Sequence, residues 1–339
     1  MRFVTMLRVL KSLLIAGALL APSLAAGQSC AYRGQLDDLY CDADRDMVAD
    51  APADKSKWKT PSTLIFTYTP IEDPAVYQKI FSNLLEHLGQ CTGKKVVYYQ
   101  VQSNAAQIEA MRAGRLHIGG FSTGSTGFAV NLAGAVPFVV KGNAEGPRSY
   151  RMAVIVRKDS PVQKLADLKG KKIAHASPSS NSGNLAPRSL LPTEGLTPDK
   201  DYKVLYSGKH DQSILGVNTG DYDAAAIADD VLERMSLRGV VKAENFRTLY
   251  SSAPFITSSF AYAHDLDPAL ATKIKGCFMN YKFTPEMTKE FNGDDRFHTV
   301  TYQKDWAIVR KVAEDTGTAF NRAAFDRENA KETEAKKKN

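Results

Sequence analysis

Segments with β character alternate with segments of helical spacing through most of this chain, and that alternation constrains the fold more than any other feature. Thr63–Tyr68 reads as a strand. Asp73-Pro74 then opens a helix, with Asp as cap and Pro at the first helical position. Val76, Ile80, Phe81, Leu84, Leu85 and Leu88 keep helical spacing. Residues 95–100 are β-rich, 104–113 helical, 116–121 a short strand and 125–133 the start of a helix. A second series follows: strand 151–156, a helical turn at Leu165–Leu168, strand Lys172–His175 and a helix beginning near Gly183. It continues with strand 202–206, helix 211–218, strand Ala224–Ala228 and helix Asp229–Leu237. Strand 260–263 and helix 268–281 come last. The pattern predicts α/β layers with no short repeat.

The 339 residues, 43% apolar and 24% charged, suffice for one large core or two medium ones. That composition excludes disorder, collagen or coiled coil for the chain as a whole. The one long apolar run is N-terminal: Arg2, Arg8 and Lys11, then residues 13–21, then Pro22, Ser23, Ala25 and Ala26. This is the plan of a cleaved secretory signal, too short to span a bilayer. We expect residues 1–26 to be removed and the mature protein to be periplasmic. Losing three positive charges lowers the net charge from +7 to +4. No basic run with interleaved aromatics accompanies it, so nucleic acid is not an expected partner; mild basicity suits a small anion. Cys30, Cys41, Cys91 and Cys277 all follow the signal. An even count in an oxidising compartment points to two disulfides. Of three pairings we favour Cys30–Cys41, close in sequence, with Cys91–Cys277; two buried thiols are the alternative for the second pair.

Residues 27–59 lack core periodicity and read as an N-terminal extension. Within it Asp42, Asp44, Asp46 and Asp50 offer carboxylates at positions 1, 3, 5 and 9 of a calcium loop, with the Val48 carbonyl at 7. Met47 replaces the glycine of such a loop and Ala53 its bidentate Glu, so a solvated acidic turn is the alternative. The highly charged residues 326–339 read as a disordered tail.

Three strand-to-helix loops carry the chemistry. Residues 177–183, Ser-Pro-Ser-Ser-Asn-Ser-Gly, bring hydroxyls and an amide to a helix start. With the free N–H groups there they make an anion site without formal positive charge; a plain Ser-capped loop is the alternative. Residues 121–127, Phe-Ser-Thr-Gly-Ser-Thr-Gly, have the same character. Two such loops facing each other would form a cleft at the carboxyl ends of strands. In the third loop, residues 207–211, His210 is a donor for an anion and Asp211 a helix cap. Asp229 and Asp230 open the next helix, where acids are favourable; Asp230 is also a partner for a ligand amine or hydroxyl. No G-x-S-x-G, H-E-x-x-H, C-x-x-C or phosphate-binding glycine loop occurs, and the six histidines lack metal-ligand spacing.

Taken in order, residues 111–118, 181–187, 207–215 and 220–226 closely resemble the phosphate/phosphite/phosphonate-binding proteins of ABC importers, the PhnD-like family. Residues 295–297 and 302–306 resemble its C-terminal part, and the likeness covers residues 60–310. It implies a type II periplasmic binding protein, an α/β fold of two lobes with a ligand cleft between them. The crossings would lie near Ser149 and Ser258, giving lobe 1 as 60–148 plus 260–325 and lobe 2 as 149–259. It also implies that Ser180, Asn181, Ser182 and His210 grip an oxyanion, with Asn181 replacing a hydroxyl common in the family. The family's pocket aromatic falls on Phe121, which lacks a hydroxyl; Ser122, Thr123 and Ser125 would supply the donor. Where some phosphonate and phosphite binders carry an acid near the second crossing, this chain has Ser258 and Ser259.

The implied function is capture of a phosphorus oxyanion and its delivery to an ABC permease in the inner membrane, by a monomer that needs no cofactor and turns nothing over. One alternative is an oxyanion sensor, for phosphate or arsenate, that signals to a membrane histidine kinase. Another is a secreted hydrolase with Ser125 or Ser182 as nucleophile and His210 as base.

Overall fold

The computed structural model describes residues 30–338; the expected signal segment, residues 1–26, lies outside them. Five strands precede the first crossing: β1 (Thr63–Tyr68), β2 (Lys95–Tyr98), β3 (Ile118–Phe121), β4 (Ala135–Asn143) and β5 (Gly146–Pro147). β6 (Ser149–Tyr150) lies in it. Then come β7 (Met152–Arg157), β8 (Lys172–His175), β9 (Lys203–Tyr206), β10 (Ala224–Ala228) and β11 (Phe246–Ser251). β12 (Phe255–Ile256) lies in the return crossing, followed by β13 (Ser259–Ala263) and β14 (Arg296–Thr299).

The strands form two main sheets. One runs β14-β4-β13-β3-β1-β2, with β5 on β4; the other runs β11-β7-β10-β8-β9. β1 is parallel to β2 and β3, and β8 to β9 and β10, as strand–helix–strand connections require. β6 and β12 pair antiparallel, Tyr150 opposite Phe255, so the two crossings run side by side between the sheets. Each sheet with its helices is the core of one lobe. β10, Ala-Ala-Ala-Ile-Ala, is buried along its whole length, as a strand packed on both faces is.

Several expectations hold at their stated positions. Asp73 caps the helix Pro74–Ile80, and Asp229–Leu237 is a helix. Cys30 bonds to Cys41, and Cys91 to Cys277. The second bond ties helix Ser82–Thr92 to helix Pro268–Asn280 across a sequence separation of 186. The N-terminal extension packs on lobe 1: Asp37 meets Arg112, and the buried Tyr40 ring stands edge-on to His264.

Others are corrected. The apolar run after Asp73 forms two helices, Pro74–Ile80 and Ser82–Thr92, which meet at Phe81. Asp211 is not a cap: Lys209 holds that position, and Asp211 sits in the first turn accepting the Asp73 N–H at 3.2 Å. Residues 326–338 of the expected tail are helical. Arg322–Lys338 is a helix, whose inner face buries Ala324, Phe325 and Glu328. Lys331 reaches Glu328 at 2.9 Å, the i,i+3 pairing by which charged residues support a helix.

Candidate functional site

The 121–127 and 177–183 loops converge where the lobes meet. Ser122 caps helix Thr123–Ala133 by accepting the Ser125 N–H. Trp306, fully buried, donates its indole N–H to the Thr123 carbonyl at 3.0 Å and fixes this helix start from below. Opposite, Ser180 caps the helical turn Asn181–Leu185 by accepting the Gly183 N–H at 3.1 Å. The starts are so close that a Cβ on Gly124 would lie 2.3 Å from the Ser179 carbonyl oxygen. Only glycine fits there.

Two adjoining cavities open at this junction. Ser122, Ser180 and His210 line both. The larger adds Thr123, Asn181, Ser182 and Asp230 from the expected set, and Tyr68, Lys141, Tyr150, Arg234, Thr257 and Ser258 from outside it.

Hydrogen bonds fix the polarity of these groups. His210 Nδ1 accepts the Ala228 backbone N–H at 3.2 Å, so the ring proton sits on Nε2, which faces Ser180 Oγ at 3.1 Å. Burial pushes the imidazole down to about 4, and it is neutral at pH 7. Ser180 Oγ thus accepts from Gly183 and from His210, and its own proton is left to point into the cleft. Asn181 donates to the Tyr150 hydroxyl at 3.1 Å, while its amide oxygen is buried without a partner among the described residues. Burial pushes the Tyr150 phenol up to about 12, with Thr123, Asn181 and Ser182 pulling the other way; it remains a neutral donor. Thr123 donates to the Ile256 carbonyl at 2.9 Å and links the first helix start to the return crossing.

Charged side chains also line the larger cavity. Asp230 accepts from Arg234 at 2.7 Å, and Arg234 also bonds Glu72 of the other lobe at 3.0 Å through Nε. Arg238 pairs with Glu72 as well. Burial works against the charge on Asp230 and Glu72, yet the neighbouring guanidiniums, joined at Asp230 by the Lys141 ammonium, hold both carboxyls below their usual range. Asp230 is therefore ionised and already paired.

Three expected residues stay out of the cavity. Phe121 is fully buried with its ring against Gly119; Tyr68 and Tyr150 are the aromatics that line the site, and they carry hydroxyls. Ser125 Oγ turns back to the Ser122 carbonyl at 3.2 Å. Ser259 Oγ meets Thr126 at 2.9 Å beneath the site, and Ser258 and Thr257 take the lining position. Among the described residues, the serine that His210 meets is Ser180, not Ser125 or Ser182. Both ring nitrogens of His210 are engaged, and neither meets Ser125 or Ser182.

In the extension, Asp42, Asp44 and Asp46 bring carboxylate oxygens within 4.8 Å of one another. Asp50 stands apart from this group, with Oδ2 accepting the Ala43 N–H at 2.7 Å. Burial foremost, and then the neighbouring acids, push the Asp42 and Asp46 carboxyls up.

Among the described residues, no helix is long and apolar enough to cross a membrane. The sequence model of the family described as "ABC transporter, phosphonate, periplasmic substrate-binding protein" matches residues 66–306, more than half of the chain. The phosphate-import protein PhnD of Mycolicibacterium smegmatis is 26% identical over 276 residues, 77% of this chain and 85% of that one. A binding protein component of an ABC phosphonate transporter from Pseudomonas aeruginosa superposes with TM-score 0.68 at 21% identity, covering 81% of this chain and 97% of that one. PhnD1 from Prochlorococcus marinus, solved in complex with methylphosphonate, gives TM-score 0.67 at 20% identity over 76% of this chain and 100% of that one. The two-lobed α/β architecture is that of a type II periplasmic binding protein. The chain belongs to the family of periplasmic substrate-binding proteins of ABC phosphonate transporters, which bind and deliver and are not enzymes.

Proposed function

We propose that this protein captures a phosphorus oxyanion (phosphonate, phosphite or phosphate) in the cleft between its lobes and delivers it, as a monomer exported through a cleaved signal, to an inner-membrane ABC permease. The observation that carries the reading is the facing pair of helix starts. Ser180, Asn181 and Ser182 on one side and Ser122 and Thr123 on the other surround a single cavity, with neutral His210 orienting Ser180. The Ser122 and Thr123 hydroxyls already donate to Ser125 Oγ and the Ile256 carbonyl, so the donors on that side are the N–H groups of the helix start; neutral donors fixed before the ligand arrives lose little solvation on binding and favour a tetrahedral anion. Closure then follows from differential contact, since the anion touches both lobes only when they meet. Ser182→Ala and His210→Gln, titrated calorimetrically with phosphate and methylphosphonate, should each weaken binding about tenfold or more, the worth of a hydrogen bond to a charged group. Unchanged affinity in both variants would remove this site from the account.

The sensor alternative shares every contact of this site and differs in the partner. Permease and ATPase genes beside this one support import, and a histidine kinase gene supports sensing. The reading needs no cofactor for capture. In it a calcium ion would sit in the extension at Asp42, Asp44 and Asp46, and adding calcium chloride should raise the melting temperature. A melting temperature that does not move leaves that loop a solvated acidic turn.

A further inference from the structure

Lys141 is the unexpected member of the site. It lies on β4 and is 3% exposed, and it lines the larger cavity together with the oxyanion donors. Its ammonium has no carboxylate within 4 Å among the described residues; it sits 4.4 Å from the centroid of the Phe291 ring. The nearby acids have other partners: Asp230 pairs with Arg234, and Asp294 with Arg148 at 2.8 Å. Asp230 and Asp294 both feel the Lys141 charge without forming an ion pair with it; an aromatic face compensates a buried ammonium only in part, and a buried cation without a direct ion pair is costly. Of the charged side chains lining the cavity, Asp230 and Arg234 cancel, His210 is neutral, and Lys141 remains. The cavity wall therefore carries one net positive charge beside donors that are otherwise uncharged.

Building on the oxyanion reading above, we propose that Lys141 is a specificity-determining residue that supplies this counter-charge, selecting doubly charged tetrahedral anions over singly charged ones of the same shape. Neutral donors reward shape and hydrogen-bond acceptance, which a sulfonate offers as well as a phosphonate. A fixed cation in a buried cavity rewards the second charge. Phosphorus oxyanions carry that second charge at mildly alkaline pH, and alkanesulfonates do not.

The test is calorimetry at pH 8 of the mature protein with inorganic phosphate, methylphosphonate and methanesulfonate, repeated with Lys141→Gln and Lys141→Arg. Wild type should prefer both phosphorus anions over the sulfonate by at least about tenfold. Lys141→Gln should lose about 10- to 100-fold for the dianions, the range of a charge-assisted hydrogen bond, and much less for methanesulfonate, so that the ratio collapses. Lys141→Arg should keep it. The ratio is the readout because partial misfolding lowers the competent fraction equally for every ligand and cancels. If Lys141→Gln fails to fold, the wild-type ratio decides: a preference below about tenfold overturns the proposal. Wild type that binds phosphate, beside a Lys141→Gln protein with the same ratio, overturns the role of Lys141 alone. Wild type that binds none of the three overturns the oxyanion reading and this inference together.

Discussion

His210 shows how one side chain serves both binding and stability. Its ring is buried and neutral, and so is that of His175, which faces Asn184 at 2.9 Å and Tyr202 at 3.0 Å. Burial pushes both imidazoles down to about 4, against an ordinary value of 6.5. In the unfolded chain they take up protons as pH falls through 6.5, while the folded protein holds them neutral until about 4. The unfolded state binds more protons over that window, so stability is full above it and declines as pH falls. The loss is roughly 2–3 kcal/mol per histidine by pH 4.5. We expect the urea midpoint to drop between pH 7 and pH 4.5, and to drop less in His175→Gln. A midpoint constant over that range would contradict the burial argument. Residue chemistry also limited what the sequence made legible at the site. Ser180, Asn181, Ser182 and His210 stood out through the order and spacing that resemble the family, because on composition alone such residues serve as helix caps and turns as readily as ligands. Phe121 misled, because an aromatic at a strand end serves a core as readily as a pocket, and only the pleat decides which face it takes.

At the scale of elements, the two helix starts act as a unit, and Gly124 is where they touch. Its α-carbon leaves room for the Ser179–Asn181 backbone, and a Cβ would meet the Asn181 nitrogen at 2.7 Å. Gly124→Ala should therefore hinder the approach of the lobes while leaving each lobe folded. Overpacking costs about 1–3 kcal/mol, so phosphate affinity should fall about tenfold or more with an unchanged melting temperature of the unliganded protein. Equal affinity would show that the lobes bind without coming this close. The alternation of strands and helices was legible because β-branched runs and helical spacing differ in period. β4 escaped notice, and Lys141 with it. Its sequence, Ala-Val-Pro-Phe-Val-Val-Lys-Gly-Asn, carries a proline that ordinarily argues against a strand. The structure accommodates Pro137 opposite Ala261, beside the register shift between Phe260 and Ala261, where the ladder is already interrupted. The C-terminal helix was hidden by its charge: the pairings that support it look, in one dimension, like a solvated run.

At the scale of the whole molecule, β6 and β12 are the only paired strands between the two main sheets among the described residues, and Tyr150 of β6 also lines the cleft. Backbone and side-chain bonds also link the lobes across the cleft, the His210 N–H donating to the Ile71 carbonyl at 3.1 Å. Arg234 and Arg238 of one lobe share Glu72 of the other, and Asn104 reaches Ser179 at 3.0 Å. A narrow two-stranded hinge with a polar, ion-paired seam is a construction that opens without unfolding. The central claim is that this seam closes on one phosphorus oxyanion. Calorimetry of the mature wild-type protein against phosphate, phosphite and methylphosphonate tests it most directly. The account expects saturable one-to-one binding of at least one of them, with the ligand recovered unchanged. Heats indistinguishable from dilution for all three would contradict it and leave the family likeness as a statement about fold alone.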